Sequence, residues 1–203
     1  MTPPVATRLP AAERRQALIE AGLRVFLSGS YSGATTAEIA REAGVSEPIL
    51  YRHFGSKRDL YFACLDEAWA RMRVTFELKL SELGDPKTVQ AMADTVRACR
   101  ASRVLPQLLW IQALTEAGED PEIRRYLRRH LRDVHDFVAH VVRRGQAVGA
   151  VPADRDANAE AWIFIGTGLL ISVGERLRGL LGLQDFEAVA FQRRRWLTGS
   201  DAV

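Results

Sequence analysis

Three features of this 203-residue chain predict an all-α fold. Apolar residues recur at three- and four-residue spacing along most of its length. Capping residues and Gly/Pro breaks divide it into about nine segments. Sustained period-two alternation, the mark of a strand, is scarce. With 47% apolar and 26% charged residues the chain can bury a substantial core, so neither a disulfide nor a metal is needed to hold it together. The expected organisation is a mobile arm over residues 1–9, a three-helix unit over 10–55 and a larger helical domain over 56–203.

A first helix follows Pro10 and ends near Ser28, with Leu18, Gly22, Val25 and Phe26 turned inward. Thr35 caps the second helix, and Glu38 three residues later completes a capping box. Ile39, Ala40 and Ala43 give that helix a small apolar face. Gly44 supplies the residue that tolerates positive φ just past its end. Ser46 is expected to cap the third helix through its hydroxyl, and Pro48 falls in the first turn, where its missing N–H costs nothing. Leu50 and Phe54, four apart, face inward and leave Glu47, Pro48, Ile49, Tyr51, Arg52 and His53 outward. This is helix-turn-helix patterning, in which the second helix of the pair enters the major groove of DNA.

Ser56 caps a long fourth helix, with Asp59 in its first turn; Leu60, Cys64, Leu65, Trp69, Met72, Phe76 and Leu80 keep helical spacing to about Leu83. Gly84-Asp85-Pro86 stops it. A fifth helix is expected from Lys87 to Ala101, and a sixth from Leu105-Pro106 through Leu109, Trp110, Ala113 and Leu114. Pro121 opens a seventh that runs to about Val148, and an eighth and ninth cover roughly 156–180 and 185–197.

Net charge is only +3, and residues 1–57 carry seven Lys/Arg against five Asp/Glu. DNA affinity must therefore come from the placement of charge, not its amount. Arg124, Arg125, Arg128, Arg129 and Arg132 alternate with an apolar stripe on the seventh helix and read as a solvated face. Cys64 and Cys99 lack metal-ligand spacing and suit two buried, reduced thiols. The first residues contain no apolar stretch like a signal peptide, and the run from Ala161 to Val173 is short for a bilayer, so a cytoplasmic protein without a membrane partner is expected. Paired carboxylates beside a histidine, a nucleophile elbow and a Gly-rich phosphate loop are all missing from the sequence, which argues against an enzyme and calls for no cofactor and no metal.

Within the third helix, Ile49 cannot hydrogen-bond, so its natural partner on DNA is a thymine methyl. Arg52 could read guanine or pair with phosphate. Glu47 could accept from cytosine N4, repel wrong sequences, or only complement the helix dipole. The eighth helix, AWIFIGTGLLISVGERL, is apolar nearly all round, whereas a monomer's surface helix needs a polar face. Burial against a second copy of the chain is the economical explanation, with Ile165, Gly168 and Leu169, and Phe191 and Trp196 of the ninth helix, at the interface; burial inside one chain is the alternative.

The runs ERRQALIEAGLRVF and ILYRHFGSK resemble the amino-terminal domain of the TetR family of bacterial transcriptional regulators. The resemblance is specific over roughly residues 10–70 and architectural beyond. The chain departs from the family in having Ser30 directly before Tyr31, where a glycine is usual, with Gly29 one position earlier. The resemblance implies a homodimeric, ligand-responsive regulator of a double-stranded DNA operator. It assigns phosphate contacts to Tyr51, His53 and Lys57, and places backbone N–H groups at Thr35 and Ser46 against phosphate oxygens. It also implies a small-molecule site and the dimer contact in the carboxy-terminal domain. Candidate pocket residues there are Trp69, Met72, Phe76, Cys99, Trp110, Phe137 and Trp162, a lining that suits a largely apolar effector. The competing class is an all-α interaction module, or an enzyme, that has the helix-turn-helix fold without DNA binding. The joint presence of Tyr51, Arg52, His53 and Lys57 argues against it.

Overall fold

A computed structural model describes residues 10–102 and 106–199. Among the described residues it contains α1 (Ala11–Ser28), α2 (Thr36–Glu42), α3 (Glu47–His53), α4 (Lys57–Leu83), a 3-10 turn (Asp85–Lys87), α5 (Thr88–Ala101), α6 (Pro106–Glu116), α7 (Pro121–Ala147), α8 (Ala157–Arg176) and α9 (Leu183–Thr198), with no strand. The expected arm over residues 1–9 and the expected helix start at Leu105 lie outside the described residues.

The chain divides into two compact units, one ending at Glu67 and the other beginning at Ala68, so the boundary falls within α4. The packing of its first turns explains this. Leu60, Tyr61 and Cys64 are fully buried. The Tyr61 ring meets Phe26 edge-on at 4.9 Å and Tyr31 at 4.8 Å, and the Cys64 thiol donates to the Ile19 carbonyl at 3.6 Å. Gly22 makes the α1–α4 crossing possible, because a Cβ there would sit 2.8 Å from Cys64 Sγ. Gly22→Val is accordingly expected to destabilise the amino-terminal unit by about 1–3 kcal/mol, the usual cost of overpacking. A thermal melt that finds Gly22→Val as stable as the wild type would contradict that packing.

In the carboxy-terminal unit α7 is the central helix, packing on α8, α6 and α5. Asp120 starts it by accepting from the Glu122 and Ile123 N–H groups, with Pro121 in its first turn. Asp156 starts α8 in the same way. Phe76, Leu80, Ala91 and Val141 form one core cluster, and Val142, Val151, Ala157 and Leu197 another.

α8 carries two stripes. Ala157, Ala161, Ile165, Gly168 and Ser172 are buried within the chain, while Ile163, Gly166, Leu170, Val173 and Leu177 are exposed at a three-four spacing. Two of the residues expected at a dimer interface, Ile165 and Gly168, therefore belong to the inner stripe. Ile165 is 4% exposed, and a Cβ on Gly168 would meet Gln107 Cγ at 2.8 Å. By length and composition alone Ala157–Gly174 of α8, with a mean hydropathy of 1.3, is long and apolar enough to cross a bilayer, a test that the core helix of a folded unit also passes. Yet its buried Glu160 carboxylate accepts from Arg193 and from Trp196 Nε1 of α9, which makes the helix amphiphilic toward its own chain.

Candidate functional site

The α2 cap and the turn into α3 form, although among the described residues the Glu38 side chain does not return the second bond of a capping box. The Thr35 hydroxyl accepts from Glu38 N–H at 3.1 Å. Gly44 has φ of 68°, and the chain folds back through Gly44 N–H to the Arg41 carbonyl and Val45 N–H to the Ala40 carbonyl, a Schellman pair. Ser46 takes N-cap geometry but its hydroxyl does not cap α3. The reason is local. Pro48 has no N–H to offer, and the N–H of Ile49 already bonds the Ser46 carbonyl at 2.9 Å. The Ser46 side chain is left exposed at the mouth of the helix.

α3 is anchored by Leu50 and Phe54, both buried, with the Arg15 guanidinium 4.9 Å from the Phe54 ring centre. Its other face is open. Pro48 and Arg52 are exposed, Ile49 and His53 half-exposed, and Tyr51 is 48% exposed. Arg52 makes no hydrogen bond or ion pair among the described residues, so its fork of donors is available to an acceptor outside the chain. Glu47 is engaged: its carboxylate accepts from the hydroxyl of Thr36, a residue that sequence reasoning passed over.

Lys57, expected on a phosphate, faces inward with two of its three donors. Its ammonium bonds the carbonyls of Tyr31 and Ala34 at 2.9 and 3.1 Å and lies 4.5 Å from the Tyr31 ring centre. One donor is left for an outside anion. Ser30 completes this loop: its hydroxyl accepts from Gly33 N–H at 3.1 Å, so the residue that departs from the family pattern supplies a turn bond of its own.

The carboxy-terminal candidates separate into groups. Trp69, Met72, Phe76 and Phe137 line one small cavity together with Met92, Thr95, Val138, Val141 and Phe164. Trp69 and Phe76 both meet the Phe137 ring edge-on, at 5.4 and 5.7 Å. Cys99, Trp110 and Trp162 are elsewhere. Trp110 is fully buried beside His130, and Trp162 is exposed against His135. Cys99 is buried, which raises its thiol above the ordinary 9.0, against a lowering hydrogen bond from Thr75. A thiol whose folded value is raised contributes stability below the ordinary value and loses it as pH climbs through the folded one. Ellman's reagent at pH 8 should therefore label Cys99 slowly until the protein is unfolded; rapid labelling of the folded protein would contradict its burial.

Among the described residues, no group of three or more His, Cys, Asp and Glu side chains is placed to hold a metal ion. Arg124, Arg125, Arg128, Arg129 and Arg132 of α7 are exposed, along one face of the helix beside Pro121.

Two short helices joined by a positive-φ turn, and an outward face of Pro48, Ile49, Tyr51, Arg52 and His53, define a helix-turn-helix DNA-binding protein. The comparisons with known proteins agree. The family model described as bacterial regulatory proteins, tetR family, matches residues 18–64. The HTH-type transcriptional regulator SrpR of Pseudomonas putida is 32% identical over 168 residues, covering 81% of this chain and 76% of that protein. The HTH-type transcriptional activator FasR of Mycolicibacterium smegmatis is 52% identical, but over 58 residues that cover 29% of this chain and 26% of FasR. A TetR-family transcriptional regulator from Agrobacterium tumefaciens has the same fold, with a TM-score of 0.75 at 20% identity over 93% of this chain and all of that one. The chain belongs to the TetR family of transcriptional regulators, and it is a DNA-binding regulator of transcription.

Proposed function

We propose that the protein is a homodimeric repressor released from a near-palindromic operator by a small, largely apolar effector. The outer stripe of α8 carries the dimer reading. Ile163, Gly166, Leu170, Val173 and Leu177 recur at the spacing of a helix-pairing seam, and a Cβ on Gly166 would meet nothing within 4 Å. Phe191 and Trp196 of α9 are exposed as well, and Leu169 is half-buried between the two stripes. A dimer built on this face sets two α3 helices to read two half-sites, which a groove-reading pair does at about 34–36 Å.

The effector reading rests on the cavity around Trp69. Its volume is about 20 Å³, room for little beyond one water, whereas effector-sized molecules need about 300 Å³ or more. An effector must therefore select a conformation in which the flexible Met72 and Met92 and the aromatic rings have moved apart. That difference in affinity between two conformations is what allows a ligand to shift DNA binding. Thr95 is the one hydroxyl of the lining, and it donates to the Ala91 carbonyl at 2.7 Å. No lining residue carries a charge, so an anion has no partner there. Away from that cavity, on α6, Gln107 Oε1 and Trp110 Nε1 are buried without a hydrogen-bond partner among the described residues.

Neutral aromatic compounds should quench or shift tryptophan fluorescence through Trp69 and release DNA in a gel-shift assay. A screen in which only sugar phosphates or nucleotides release DNA would overturn the effector assignment and leave the DNA-binding one standing.

A further inference from the structure

The hydroxyl of Thr36 lies between two side chains of α3. Its Oγ1 donates to Glu47 Oε1 at 2.5 Å and is 3.1 Å from the Tyr51 hydroxyl. Thr36 is buried at the first position of α2, one residue after the Thr35 cap. A threonine hydroxyl has one proton, and an ionised carboxylate only accepts. The Thr36 proton is given to Glu47, so Tyr51 must be the donor in its bond with Thr36. The three groups form a directed chain, from Tyr51 to Thr36 to Glu47.

We infer that Thr36 is a positioning residue for operator recognition, which holds the carboxylate of Glu47 away from the bases and phosphates that α3 addresses. This rests on the DNA-binding reading. Glu47 is the only acid of α3, whose sequence is EPILYRH. Held by Thr36, it leaves Pro48, Ile49 and Arg52 as the outward set along the helix. When DNA binds, a phosphate oxygen can accept the hydrogen bond of the Tyr51 hydroxyl in place of Thr36, exchanging a neutral bond for a charge-assisted one. The Thr36–Glu47 bond survives that exchange, because its proton belongs to Thr36. Without the hydroxyl, a mobile carboxylate stands among phosphates, which repel it, and its one favourable partner is a cytosine amino group.

The test compares the full-length wild type with T36S, T36V, E47Q, E47D and T36V/E47Q. Wild-type operators are first selected from random DNA, and affinity for that operator is then measured alongside a circular dichroism melt. T36S keeps the hydroxyl and should bind within about twofold of the wild type, whereas T36V should bind about tenfold more weakly, as a released like charge demands. E47Q, still able to accept from Thr36 but uncharged, should bind at least as well as the wild type. In the E47Q background T36V should cost nothing. E47D keeps the charge but is one methylene too short to reach Thr36, so it should weaken binding as T36V does; it carries the test if T36V does not fold. Equal binding by T36V, E47D and wild type would overturn the inference, as would a T36V loss of the same size in the E47Q background. Absence of selective binding by the wild type would instead remove the DNA-binding reading itself, before any variant is compared.

Discussion

Lys57→Ala should lose operator binding on every sequence and loosen the amino-terminal unit at the same time. The two effects have separate origins. The ammonium bonds two backbone carbonyls, of Tyr31 and Ala34, and lies over the Tyr31 ring. It therefore clamps the loop that delivers Thr35 and Thr36 to the start of α2. Hydrogen bonds from a charged donor contribute about 1.5–3 kcal/mol each, and alanine would leave both carbonyls short of that partner. Water can restore part of what the two carbonyls lose, so a stability loss of about 2–3 kcal/mol in the amino-terminal unit, below the sum of the two bonds, is expected. The third donor is the one left for a phosphate, so the salt slope of DNA binding should fall by about one unit. Denaturant unfolding and a gel-shift series at several salt concentrations separate the two. Unchanged stability would show that the clamp contributes nothing. An unchanged slope with lowered stability would make Lys57 a scaffold residue alone.

The second large effect is expected on α8. Leu170→Arg and Val173→Arg should each give a folded monomer that binds operator DNA far more weakly than the dimer. Two-fold symmetry makes a patch meet itself, so one introduced charge occurs twice at close range. Losing the second half-site removes a gain of about 10²–10⁴ in affinity from linked binding. Ile165→Arg should behave differently. Its side chain is on the inner stripe, and burying an unpaired charge there should unfold the carboxy-terminal unit instead of separating two intact copies. Light scattering and a melt on the three variants check both halves. A wild-type monomer at micromolar concentration, or a soluble folded monomer from Ile165→Arg, would reverse the assignment of the two stripes.

Local rules account for what the sequence made legible. Thr35 and Gly44 act on backbone within a few residues of themselves, so their roles follow from spacing. The same holds for Pro121 and Asp120 at the start of α7, and for the helical spacing that buries Leu50 and Phe54. The apolar character of α8 was also readable, but not which stripe faced its own chain. That choice depends on Gln107 and α7, which meet α8 only in the folded unit. Lys57 illustrates the same limit: nothing local says that its ammonium reaches back to Tyr31 and Ala34. Thr36 was hidden for a related reason, since its partners Glu47 and Tyr51 are 11 and 15 residues away. In the cavity, Trp69, Met72, Phe76 and Phe137 could be proposed as large apolar residues on α4 and α7. Met92, Thr95 and Phe164 could not, because only the packing of α5 and α8 brings them there. Ser46 shows a local rule overridden by a local neighbour, its capping target removed by Pro48 and by a backbone bond.

The most direct test of the central claim is selection of bound duplexes from a random DNA pool by the wild-type protein at low salt. The account predicts enrichment of two inverted half-sites about one helical turn apart, with the preference at one position in each half-site relaxed by Arg52→Ala or Ile49→Ala by about 1–3 kcal/mol. A pool that shows no enriched sequence, or a preference that survives both substitutions unchanged, would contradict it.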